Sequence, residues 1–311
     1  MISMFVDPFK NKRPLKKLNL LGEKTMLFEE IVRLNLVESF GAFENQYEAA
    51  MKIAEMAYGK AINGGGHFDF ELPDGNLFNT ISVDVSFVDL YGEKFEITKV
   101  NIEEKKVFLN IVLHKFQLIS SGQDAIRMIY ERIAHELMHG NILFGRSSLI
   151  KNGDDEDTKV RKVINQPEWY KAVLDFFEKE HQEYNWFGYA MYSTFYQETQ
   201  AIISQVSPEI ENKCFDYLTK NKGGEITKDL FLSFLRTTDA MVIYTKNISF
   251  VESITPDVEE IILERLKNYG VELDKNGFRR QCRYILKQSR NAIPAIYRNA
   301  MIAYKKYVKG V

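Results

Sequence analysis

The chain has 311 residues, with 41 Lys and Arg against 43 Asp and Glu, a net charge of −2, and 45% hydrophobic residues. A chain of that size and composition buries a core of its own and needs neither metal nor disulfides to fold, so a bound metal would be free for chemistry. Its two cysteines, Cys214 and Cys282, form no CxxC pair. That indicates neither a disulfide framework nor a thiolate zinc site and fits a reducing compartment. The start, MISMFVDPFKNKR, lacks the apolar run of a secretory signal. No stretch approaches the ~20 apolar residues of a membrane helix. The expectation is a cytoplasmic protein with no membrane partner, or a virion component if phage-encoded.

In chain order, residues 1–25 are basic, contain Pro8 and Pro14, and read as an N-terminal arm. Helical spacing follows over 26–62, with Leu27, Ile31 and Leu34, then Tyr47, Met51, Ile53, Ala54 and Ala57. Gly64, Gly65 and Gly66 close that region with a turn. A β-rich block comes next: residues 68–72, then 80–90 with Ile81, Val83, Val85 and Phe87 on one face. Tyr91-Gly92-Glu93-Lys94 has the composition of a hairpin turn. A second pair, 94–102 and 106–114, surrounds Glu103, Glu104 and Lys105. In the last strand Val107, Leu109, Ile111 and Leu113 share one side, and Phe108, Asn110, Val112 and His114 the other.

Ser120 or Ser121 opens the next helix, where Ser121 and Asp124 match a capping box in its looser form. Ile126, Ile129, Ile133 and Leu137 trace its buried stripe, and Gly140 is the expected stop. A polar, acidic loop over 147–158 leads into helices expected at 168–185, 186–206, 209–219, 228–244, 256–269 and 276–307. The last should kink or break near Pro294. The fold class is therefore α+β: a small antiparallel sheet of three or four strands packed on one amphipathic helix, then a mostly helical C-terminal half. The expected divisions are an arm at 1–25, a core at 26–206 and a helical subdomain at 207–311.

Residues 278–311 hold nine Lys or Arg and no acid, so the remainder carries −11, because −2 minus +9 is −11. Such an end offers a surface for nucleic acid or an acidic partner, although a solvated helix face has the same composition.

Within the amphipathic helix stands His135-Glu136-Leu137-Met138-His139. Residues four apart lie ~40° apart around a helix, so both imidazoles project side by side and can share one metal. Glu136 lies ~60° from His139, within reach of a metal-activated water. Zinc suits this set, because imidazoles and one carboxylate leave a fourth position for water. Glu136 would then act as general base. The Gly and His of a longer motif are absent, since Ile142 and Gly145 stand at their positions.

Glu198, in Tyr196-Gln197-Glu198-Thr199-Gln200-Ala201, is the leading third ligand. The stripe of Phe187, Met191, Phe195 and Ile202 turns its helix to the core, where a carboxylate needs a partner or a metal. Ala201 would let that helix approach closely. His181 and the acids Asp154, Asp155 and Asp157 are alternatives. Tyr189, Tyr192, Tyr196 and His181 are the options for stabilising an oxyanion. His67 and His114 have no partners at ligand spacing.

A strand pair, a helix bearing HExxH and a later helix bearing ExxA together resemble the gluzincin metallopeptidases. The pattern is nearest to the minimal-scaffold members and the soluble cores of the CAAX-prenyl endopeptidases, over roughly 81–206. The resemblance implies that His135, His139 and Glu198 bind Zn2+, with Glu136 as general base and acid, for the hydrolysis of a peptide or protein substrate. It also implies that 106–114 is the rim strand that pairs an extended substrate. The Asp that often follows the ExxA is replaced by Ile202. A second reading is a non-catalytic structural or assembly component, phage or virion-associated, that retains the zincin fold.

Overall fold

The computed structural model describes residues 41–73, 76–88, 94–114, 122–147, 170–179, 182–222 and 224–309. The arm at 1–25, the turn residues 91–93, the caps Ser120 and Ser121, Asp154, Asp155, Asp157 and His181 lie outside them. The first element is α1 (Gly41–Ile62), whose Ala50, Ile53, Ala54, Ala57 and Ala61 form a fully buried stripe. Gly64, Gly65 and Gly66 follow, all at positive φ. A Cβ on Gly65 would stand 2.7 Å from the Val85 carbonyl oxygen, so only glycine lets the chain turn into the sheet there.

Four strands form one sheet: β1 (Gly66–Glu71), β2 (Thr80–Val88), β3 (Lys94–Asn101) and β4 (Lys106–His114), in the order β1-β2-β4-β3. The α+β class is as expected, a four-strand sheet followed by a mostly helical half. One detail differs. β2 does not form a hairpin with β3 but pairs in parallel with β4, Thr80 opposite Lys106 through Val88 opposite His114. The reason is burial: Ile81, Val83 and Val85 of β2 and Val107, Leu109, Ile111 and Leu113 of β4 are all buried, so these strands share the centre. β3, only half covered along its length, takes the edge, antiparallel to β4. The tight turn between β3 and β4 is as expected. Asn101 Oδ1 accepts from the Glu103 and Glu104 N–H groups, and Lys105 adopts φ 49°.

One face of the sheet is covered by α1 and by α2 (Gly122–Ser147), with Ile129, Ile133 and Leu137 in the shared core. Gly140 does not stop α2, which continues for seven more residues to Ser147. A Cβ there would lie 3.3 Å from Val107 and 3.6 Å from Ile97, so the glycine lets the helix press onto β4 and β3.

The remaining helices are α3 (Tyr170–Lys179), α4 (Gln182–Ser193), α5 (Tyr196–Ser204), α6 (Val206–Lys220), α7 (Lys228–Arg236), α8 (Asp239–Ser253), α9 (Pro256–Lys267) and α10 (Lys275–Tyr304). Two expected continuous helices are broken. The Ser193 and Thr194 hydroxyls donate back to the Ala190 carbonyl, which ends α4 before α5 begins. Thr238 accepts from the Met241 N–H and starts α8 where a single helix over 228–244 was expected. Conversely, α10 runs unbroken through Pro294, because Ile293, Ile296 and Tyr297 fix both flanking turns in the core. Among the described residues, no helix is long and apolar enough to cross a membrane.

Two further cores hold the helices. Val206, Ile210, Phe231, Tyr244, Ile296 and Ala300 unite α6, α7, α8 and α10. Phe176, Phe187, Ile262 and Phe278 unite α3, α4, α9 and the start of α10. Asn299 stitches distant segments together: its Oδ1 accepts from the Ser207 N–H at 3.0 Å and its Nδ2 donates to the Tyr47 hydroxyl at 2.7 Å. Asn299→Ala is expected to destabilise the protein by about 2 kcal/mol, since it orphans a buried backbone donor at the start of α6. Urea unfolding would show this as a lower midpoint at unchanged slope.

Candidate metal centre

α2 carries His135, Glu136 and His139, whose ligand atoms all lie within 4.8 Å of one another, near enough to bind a metal. The core-facing stripe of Ile129, Ile133 and Leu137 fixes the rotation of the helix, and both histidines share another side of it. Their Nε2 atoms stand 3.1 Å apart. Two nitrogens bonded to one zinc at ~2.05 Å with tetrahedral angles are about 3.3 Å apart, so the pair is already spaced for a shared ion.

Glu198 approaches from α5. It lies in the first turn of that helix, on a side buried with Gln197, Ala201 and Ile202. Its Oε2 is 3.7 Å from His139 Nε2 and, although buried, has no hydrogen-bond partner. The Tyr192 side chain hydrogen-bonds the Glu198 carboxyl group. The close approach expected from Ala201 is present, and Ser204 on the next turn donates to the Ala134 carbonyl at 3.1 Å, beside His135. The elbow that aims α5 is pinned from α8: Tyr244 donates to the Ser193 carbonyl and Asn247 to the Ser193 hydroxyl.

The electrostatics are dominated by burial of all four side chains. Burial pushes the His135 imidazole down to about 3, with His139 adding to the fall, and His139 itself down to about 4. Both rings are therefore neutral at pH 7, the form that ligates metals. Burial pushes Glu198 up to about 7. Glu136 is pushed up to about 8 by burial and then by repulsion from Glu198, while the Ile97 backbone of β3 partly opposes this. Two neutral imidazoles and the Glu136 carboxyl group form a cluster that could hold a metal ion, and Glu198, with its orphaned oxygen, stands outside that cluster but 3.7 Å from His139.

Tyr192 is engaged with Glu198, Tyr196 is 60% exposed, and Tyr189 lies in an aromatic row between Trp186 and Tyr192. Burial pushes the Tyr189 hydroxyl up to about 12, so it stays a donor at neutral pH. The sequence offered Tyr192 as an oxyanion donor but not as a partner of Glu198, and it gave no sign of Gln205. Tyr192 precedes Glu198 by six residues, a spacing that carries no signal across a helix break. Gln205, at the joint of α5 and α6, holds the His135 pKa up against burial. The Gln205 side chain meets the His135 ring, which places it to orient that imidazole. Gln205→Ala is expected to weaken metal binding by about 10–100-fold, measured by competition with a chromophoric chelator.

His67, which lacked a partner in the sequence, meets Asp84 at 2.9 Å and Asp69 at 3.3 Å on the outer face of the sheet, away from α2. Cys214 and Cys282 are free thiols. No family model, curated protein or solved structure matches the chain.

Proposed function

We propose that the chain is a zinc-dependent peptidase of the gluzincin kind, with His135, His139 and Glu198 as ligands and Glu136 as general base. The observation that carries this reading is the pair of Nε2 atoms 3.1 Å apart on one helix, with a Glu198 carboxyl oxygen that has no hydrogen-bond partner 3.7 Å from the His139 Nε2. Zinc held there would supply Lewis-acid chemistry and bring the pKa of water towards neutrality. Glu136, ionised once a bound cation offsets its burial and the repulsion from Glu198, would take a proton from the attacking water and deliver it to the leaving amine nitrogen. Tyr189, still protonated at neutral pH, is the donor assigned to the developing oxyanion. An extended peptide would pair along β3 rather than along the 106–114 strand. β4 is enclosed between β2 and β3, whereas among the described residues no strand pairs with the outer edge of β3, whose Ile97 lies beside Glu136.

The test combines metal content by elemental analysis with cleavage of a mixed peptide library. One zinc per chain and cleavage that a chelator abolishes and added zinc restores is the expected result. Stoichiometric zinc without turnover would instead favour the structural, assembly-component reading, and absence of any bound metal would remove the peptidase and leave only the non-catalytic scaffold.

A further inference from the structure

The basic residues of the C-terminal end are not scattered over α10. Taken at 100° per residue, Arg279, Arg280, Arg283, Lys287, Arg290 and Arg298 fall within a sector of about 100°. All six are exposed, and they lie opposite Phe278, Ile285, Ser289, Ala292 and Ile296, which face the core. Arg279 is paired with Glu259 and Arg290 with Glu252. Arg280, Arg283, Lys287 and Arg298 make no ion pair among the described residues. A merely solvated helix usually neutralises itself, as α9 does by interleaving Asp257, Glu259, Glu260 and Glu264 with Arg265 and Lys267. α10 has no acid after its cap Asp274.

We propose that this face of α10 binds the phosphate backbone of a nucleic acid. Arg280 to Arg298 spans about 27 Å of helix, which matches about eight phosphates at ~3.4 Å per nucleotide along one strand. Arginine dominates the row, and its fork of N–H donors fits phosphate oxygens in pairs. A membrane surface fits less well, because the apolar side of α10 is buried in the protein and Tyr284 is its one large exposed apolar residue. A protein partner would offer carboxylates on separate flexible side chains, without the regular charge spacing that a continuous basic row can follow. The remainder of the chain carries a net −11, so this end holds a local excess of positive charge.

The full chain is titrated into a fluorescein-labelled single-stranded DNA of about 20 nucleotides, and into its duplex, with anisotropy as the readout. Binding at about 50 mM salt should weaken on the order of 100-fold by about 200 mM, as expected for roughly four phosphate contacts. Arg280→Gln/Arg283→Gln/Lys287→Gln should lose at least ~30-fold at the lower salt and show a shallower salt slope. These side chains are exposed, so circular dichroism and the unfolding midpoint should not change. Neutralising Lys220 and Lys222 at the end of α6 should leave binding intact. The proposal is overturned if neither DNA binds, if the triple variant binds as tightly as the natural chain, or if phosphatidylserine vesicles or polyglutamate bind at least as well.

Discussion

Glu136→Gln is expected to lower kcat/KM for peptide hydrolysis by about three orders of magnitude, within the range general acid–base catalysis contributes, while zinc stays bound. The amide fills the volume of the carboxyl group, so the contact of α2 with β3 is kept. It cannot accept the proton that the attacking water must lose. It also removes a carboxyl group that Glu198 repels, so the remaining donors are relieved rather than disturbed. Zinc stoichiometry and kcat/KM measured on the same preparation decide the matter. Activity within tenfold of the natural chain would assign the base elsewhere and undo the mechanism.

The second large effect concerns the metal. Zinc supplied at about 1,000 times its dissociation constant should stabilise the protein by roughly 4 kcal/mol, because the ion binds the folded cage and not the open chain. In His139→Ala that increment should vanish, since one of two imidazoles 3.1 Å apart is gone. In Glu198→Ala it should fall by more than half, with the zinc-free protein changed by only about 1 kcal/mol, because the lost Tyr192 hydrogen bond is offset by removal of a buried carboxyl group with one unpartnered oxygen. Thermal unfolding with and without zinc reads both variants. A full zinc increment in Glu198→Ala would show that another residue completes the cage.

The histidine pair was legible because it is local. Its spacing is a property of one helix, and the stripe of Ile129, Ile133 and Leu137 announces both the helix and its orientation. Glu198 was harder, since its distance from His139 depends on how α5 packs against α2. The chain carried only indirect signs, a carboxylate on a core-facing stripe and a small residue one turn away. The rim strand was misplaced for a related reason. Apolar alternation marks β2, β3 and β4 as strands equally well, but which two meet depends on how much surface each buries against the others. Helix ends misled where a residue has two uses. Gly140 looks like a stop and serves as a contact, while Thr238 looks unremarkable and caps α8.

By itself the sequence determined the α+β class, the helix that holds His135, Glu136 and His139, and the basic run at 278–311. Each of these depends on residue type and on the period of a helix or strand. Tertiary structure alone decided that β2 and β4 run in parallel, that the orphaned oxygen of Glu198 lies 3.7 Å from His139, and that the side of α10 carrying six cations is exposed. These follow from packing between segments far apart in the chain, where burial selects one arrangement among several that local spacing permits equally.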